Sequence, residues 1–95
     1  MKAELVLRTR LALSETAFVE MVIWRVPQPV RSSSHGYKYR LALVSEGVCV
    51  LRYDNEAGKG DHKHVGGREE PVAFTSLQGL LEEFRADVEA WRKGR

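Results

Sequence analysis

The spacing of apolar residues changes once along this chain, from a period of two to a period near 3.6. Leu5, Leu7, Leu11 and Leu13 fall on alternate positions with Arg8 and Arg10 between them, and Thr9 is the odd member of the apolar face. That is the pattern of a half-buried strand. Residues 18–26 are rich in β-branched and aromatic side chains, with Val19, Met21 and Ile23 on one side and Phe18, Val22, Trp24 and Val26 on the other. A strand covered on both faces reads this way. Pro27 and Pro29 cannot donate to a ladder and end it. Residues 30–36 hold Ser32-Ser33-Ser34 and read as a flexible loop. Residues 37–44 alternate again, Ser45-Glu46-Gly47 signals a tight turn, and residues 48–53 return as the hairpin partner. Residues 56–70 contain four glycines and read as a long, functional loop.

After Pro71 the period changes. Thr75 is the expected N-cap, with Gln78 completing a capping box. Leu77, Leu80, Leu81, Phe84, Val88 and Trp91 come next at spacings of three and four, so one stripe faces a core. Gly79 weakens this helix by about 1 kcal/mol relative to alanine, and Gly94 reads as its stop. The pattern predicts an α+β fold: an antiparallel sheet of about four strands, then one C-terminal helix over residues 76–93 packed on one face.

A chain of 95 residues suits one domain, residues 1–95, with a small core. Only one helix is at hand to cover an apolar strand, which implies a homo-oligomer or a partner over part of the surface. No run approaches the ~18 apolar residues of a membrane span. The first few residues have no long apolar stretch behind them, so no secretory leader and no membrane are expected. The lone Cys49 stands between Val48 and Val50, which excludes an internal disulfide, fits a reducing cytoplasm and reads as a small buried strand residue. A net charge of +2 does not by itself demand a nucleic acid. Distribution says more: Arg8, Arg10, Arg25, Arg31, Lys38, Arg40 and Arg52 lie in the first 52 residues, and the acids gather towards the end. This distribution suits a basic sheet face beside an acidic helix.

The densest polar stretch spans residues 52–64. It holds Arg52, Asp54, Asn55, Lys59, Asp61, Lys63 and two of the three histidines, His62 and His64. Side chains two apart on extended backbone point the same way. Two imidazoles on one side can trade protons near neutral pH. Such a pair suits RNA cleavage: one ring takes the 2′-OH proton and the other protonates the leaving oxygen. Arg52, Lys63 or Arg68 would offset charge on the phosphate, and Asp54 or Asp61 would orient a ring. That scheme needs no metal and no cofactor. The alternative is a divalent ion on Asp54, Asp61, His62 and His64, although no strong metal motif is present. Gly58-Lys59-Gly60 lacks the upstream glycine and the trailing Ser or Thr of a phosphate loop. Tyr37, Tyr39 and Tyr53 interleave with Lys38, Arg40 and Arg52, and with Lys59 form a candidate stacking and phosphate-binding surface for RNA. The competing reading packs these tyrosines into the sheet. His35, in the serine loop, has no sequence neighbour that suggests a role.

Several pieces together resemble the TumE-type toxin family of bacterial toxin–antitoxin pairs. They are Phe18-Val19-Glu20-Met21-Val22-Ile23-Trp24-Arg25-Val26-Pro27, Tyr37-Lys38-Tyr39-Arg40-Leu41, Arg52-Tyr53-Asp54-Asn55, Gly58-Lys59-Gly60-Asp61-His62-Lys63-His64 and Phe74-Thr75-Ser76-Leu77. The resemblance covers nearly the whole chain. It implies a small cytoplasmic toxin of a type II pair, encoded beside an antitoxin with a helix-turn-helix domain. It transfers no catalytic residue. Three readings therefore stand: a ribonuclease toxin, a toxin that binds a target without catalysis, and an accessory module whose basic loop docks a partner.

Overall fold

The computed structural model describes residues 2–56 and 58–94. Six strands form one antiparallel sheet in sequence order: β1 (Glu4–Ala12), β2 (Ala17–Arg25), β3 (Tyr37–Ser45), β4 (Val48–Asp54), β5 (His62–Val65) and β6 (Arg68–Pro71). Among the described residues a single helix, α1 (Leu77–Lys93), comes last and lies on one face. The expected α+β class and the C-terminal helix stand, and the sheet has six strands rather than four. The correction falls in residues 56–70, expected as a loop, where β5 and β6 form a further hairpin. Its turn is Gly66-Gly67, and Gly66 adopts the positive φ of 61° that a type II′ turn needs at its first central position.

The core is built from the inner face of the sheet and the helix stripe. Val19, Ile23, Tyr39, Leu41, Leu43, Leu51 and Tyr53 pack with Leu80, Phe84 and Val88. Leu77, Leu81 and Trp91 are only partly buried at the margin of that cluster. Ser76, not Thr75, caps the helix: its hydroxyl accepts from the Gly79 backbone N–H at 3.0 Å. The third helical position is thus Gly79, and there is no Glu or Gln to complete a box. A Cβ on Gly79 would lie 3.1 Å from Thr75 Oγ1 and 3.2 Å from Ser76 Oγ, so the glycine keeps the cap compact.

Two strands carry bulges. In β1 the register slips between Leu5 and Leu7, so Leu5 faces Trp24 and leaves the apolar row that Leu7 and Leu11 share. In β3–β4 the slip between Leu43 and Val44 aligns Cys49 with Val44. Cys49 is therefore exposed, against the expectation of a buried thiol. Trp24, on a strand expected to be covered on both faces, is half-buried on the outer face, with the Arg8 guanidinium 5.9 Å from its ring centroid. No helix among the described residues is long and apolar enough to cross a membrane.

Candidate functional site

Because residues paired across an antiparallel ladder share a face, the register defines the surface opposite the helix. One row across it reads Arg8, Val22, Arg40, Asp54, His62. The next reads Arg10, Glu20, Ala42, Arg52, His64, Glu69. The open face thus gathers Arg8, Arg10, Arg40 and Arg52 with both paired histidines. The acidic side chains Glu83 and Asp87 project from α1 on the other face, towards Lys63. The expected separation of charge takes this form.

Arg52, Asp54, His62 and His64 come together at the β4–β5 end of that face. The His62 and His64 rings meet edge to face with centroids 5.1 Å apart. His62 is only 4% exposed. Its Nδ1 lies 3.0 Å from the Gly60 carbonyl oxygen, which can only accept, so Nδ1 carries a hydrogen. Its Nε2 then faces Asp54 Oδ1 at 3.4 Å. The contact is one of proximity and not an aligned hydrogen bond. Asp54 is buried, and Arg52 Nε lies 2.9 Å from its Oδ2. That is a charge contact and not a hydrogen bond, since the buried Nε–H has no aligned acceptor. His64 Nε2 lies 3.5 Å from Glu69 Oε2 across the β5–β6 ladder. One ligand atom from each of His62, His64 and Glu69 fits within a mutual 4.8 Å.

The loop before β5 holds this cluster in place. Gly60 has φ of +86°, and a Cβ there would lie 2.9 Å from the Ser32 carbonyl oxygen. Only glycine brings the two loops this close and aims its carbonyl at His62. Asp61 faces away from His62 and His64. It accepts from Ser33 Oγ at 2.8 Å, from Tyr39 Oη at 2.7 Å and from His35 Nε2 at 2.6 Å. Burial raises the Asp61 pKa, but these three hydrogen bonds outweigh it and hold the carboxyl below its usual range. His35 Nδ1 accepts from the Tyr37 backbone N–H, and its ring stacks on Phe74 at 3.6 Å. His35 therefore has a role, as a clamp between the serine loop and Asp61. Asn55 is fully buried beside it; its Oδ1 accepts from Tyr39 N–H at 3.0 Å and its Nδ2 donates to Tyr37 O at 2.8 Å.

The aromatic half of the expected binding surface lies elsewhere. Tyr39 and Tyr53 are buried at 1% and 0% exposure on the helix side, and no base can stack on either. Burial foremost, then the bond to Asp61, pushes the Tyr39 phenol far up. Burial and then Asp87 do the same to Tyr53, whose hydroxyl donates to that carboxylate. Tyr37 is half-buried among His35 and Phe74. Lys63 also faces α1, at 3.0 Å from Asp87 and 3.3 Å from Glu83. Burial lowers its pKa, yet those carboxylates outweigh it and raise the value. Arg68 pairs with Val65 on the helix side, at the tip of the β5–β6 hairpin, where it is exposed and 3.4 Å from Glu70. Arg40 stays exposed on the open face, and Lys59 lies 3.5 Å from Glu69 beside the histidines. Phe18 and Trp24, on the open face under Arg10 and Arg8, and Glu69 escaped the sequence reading. The signal for Glu69 was present: counting outward from the Gly66-Gly67 turn pairs it with His64.

Sheet, helix and cluster define an α+β protein that closes one sheet face with a helix and leaves a cationic, histidine-bearing face open. The family model described as Toxin TumE matches residues 2–92, and the chain belongs to that toxin family. No curated protein and no solved structure matches it.

Proposed function

We propose that the protein is the toxin of a bacterial type II toxin–antitoxin pair and cleaves RNA on the open sheet face without a metal. The observation that carries this reading is the edge-to-face pair of His62 and His64 beside Arg52. His62, with Nδ1–H tied to Gly60 and Nε2 3.4 Å from Asp54, is assigned as the general acid. His64 is the base. It takes the 2′-OH proton as that oxygen attacks phosphorus, and His62 gives its proton to the departing 5′-oxygen. Arg52 and Arg40 offset charge on the phosphate. In this reading the protein works in the cytoplasm and is restrained by a helix-turn-helix antitoxin. It is also a homo-oligomer, because the edge strand β1 exposes Leu5, Val6 and Leu11.

The test is expression of the chain alone, with growth and total RNA followed. His62→Ala and His64→Ala should each slow cleavage on the order of 10²-fold or more and abolish toxicity, with the fold intact by circular dichroism. His→Gln should fare no better, since an amide cannot exchange the proton. If both alanine variants still cut RNA, the catalytic assignment is wrong. The second reading, a toxin that binds without cutting, draws on Phe18 under Arg10 at 3.8 Å and Trp24 under Arg8 on the same face. It predicts toxicity that survives histidine loss and fails in Arg10→Ala with Trp24→Ala. An accessory module would leave growth untouched.

A further inference from the structure

We propose that His62, His64 and Glu69 form a site for one divalent ion of the zinc type, and that this ion switches the two-histidine chemistry off. The second half rests on the ribonuclease reading; the first does not.

Two imidazoles and one carboxylate are the donor set of many zinc sites, and a poor match to the all-oxygen shells of magnesium or calcium. The spacing agrees. Ligand atoms about 2.0–2.1 Å from a tetrahedral ion sit roughly 3.3 Å apart. His64 Nε2 and Glu69 Oε2 are already 3.5 Å apart, and all three donors lie within 4.8 Å of one another. Small side-chain rotations close the rest. The backbone holds the set in place: His62 and His64 alternate on β5, and Glu69 stands opposite His64 on β6. Sites carried by strands keep their geometry better than sites on loops.

An outer partner is present as well. Metal-bound imidazoles usually donate their other N–H to a carbonyl or carboxylate, which fixes the tautomer and aims the lone pair. His62 Nδ1 does so to Gly60 O at 3.0 Å. Its Nε2 lies 3.4 Å from Asp54 Oδ1, which places a buried carboxylate beside the site. Lys59 is the competitor. Its Nζ sits 3.5 Å from Glu69 Oε2 on an exposed, flexible stem, and an arriving ion displaces it. Bound metal occupies the imidazole lone pairs that proton transfer needs, so ion and two-histidine catalysis exclude one another.

The test uses the untagged full chain, stripped with chelator, and Zn²⁺ titrated against a chromophoric indicator. One ion per chain is expected. His64→Ala and Glu69→Gln should each weaken binding at least tenfold, Lys59→Met should strengthen it, and Cys49→Ser should change nothing. Circular dichroism first establishes that each variant is folded. Absence of stoichiometric binding overturns the site, as does binding indifferent to Glu69→Gln or lost in Cys49→Ser. In the RNA assay, cleavage should fall in step with Zn²⁺ occupancy, and Glu69→Gln should resist that loss. Cleavage that requires the ion refutes both the switch and the metal-free mechanism while leaving the site standing. Cleavage indifferent to a bound ion refutes the switch. Should no condition give cleavage, the ribonuclease reading and the switch fall together, and the titration alone still decides the site.

Discussion

Asn55→Ala should be among the most damaging polar substitutions in this protein. The Asn55 side chain is fully buried at the end of β4. Its oxygen accepts from the Tyr39 N–H at 3.0 Å; its nitrogen donates to the Tyr37 carbonyl at 2.8 Å and to Ser33 Oγ at 3.2 Å. Tyr39 is itself buried, so alanine leaves its N–H without a partner and frees the Tyr37 carbonyl beside it. Each orphaned buried group costs about 1–3 kcal/mol. Ser33 loses only one donor, since its hydroxyl still donates to Asp61. Water entering the vacated space recovers part of the loss, which leaves about 2–4 kcal/mol, a large fraction of the ~5–15 kcal/mol that holds a typical domain. Asn55→Asp should fare no better, because it offers no donor to Tyr37 O. Urea unfolding followed by tryptophan fluorescence measures the difference at constant slope. A loss below ~0.5 kcal/mol for Asn55→Ala, under the spread of ordinary surface changes, would refute the clamp as a source of stability.

Gly60→Ala should destabilise by more than the ~1–2 kcal/mol of left-handed backbone, because its Cβ would also press on Ser32 O at 2.9 Å; a urea melt within error of the parent would count against it. Phe84→Ala, in the middle of the helix stripe at 3% exposure, should cost ~3–5 kcal/mol, and a loss below about 1 kcal/mol would show the stripe is not packed. Tyr39 and Tyr53 have phenol pKa values raised in the folded state, so their contribution is intact below the ordinary value of 10.0 and is lost as pH rises through the folded values. An ultraviolet phenolate titration should therefore show both phenols still protonated well above that pH while the protein stays folded, and Tyr53→Phe should flatten the alkaline fall in stability. Dynamic light scattering at high micromolar concentration should show a homo-oligomer, and a monodisperse monomer would remove that part of the proposal.

The four leading strands were legible because each had either strict alternation or a run of β-branched residues. The helix was legible because its apolar residues recur at three and four. Each element that escaped did so for a physical reason. The β5–β6 strands are four residues each, mostly charged or imidazole, and carry no apolar alternation. They pair because a Gly-Gly turn closes them and because β4 offers an edge, a tertiary cause invisible to periodicity. Cys49 was misplaced by a bulge, which shifts one residue and with it the facing of its neighbours, whereas Trp24 keeps its alternation and lies on the face that no helix covers. Tyr39 and Tyr53 sit at the same alternation parity as Leu41 and Leu51, so the competing reading, tyrosines packed into the sheet, was the right one for these two. Their hydroxyls reach Asp61 and Asp87 at the edge of the core.

The polar segment 52–64 divides by parity, and that division separates structure from chemistry. Tyr53 and Lys63 face inward, where carboxylates on α1 satisfy them. Asn55 and Asp61 fasten the two loops together. Arg52, Asp54, His62 and His64, all paired between β4 and β5, lie on the open face. Among them His62 is nearly buried, with Nδ1 against Gly60 O and Nε2 3.4 Å from the buried Asp54 carboxylate. Both proposals use the His62 imidazole, one to carry a proton and the other to hold a metal ion. Whether that cargo is a proton or a metal ion is decided by the RNA assay and the zinc titration, and both proposals fail together if His62→Gln is indistinguishable from the parent in each.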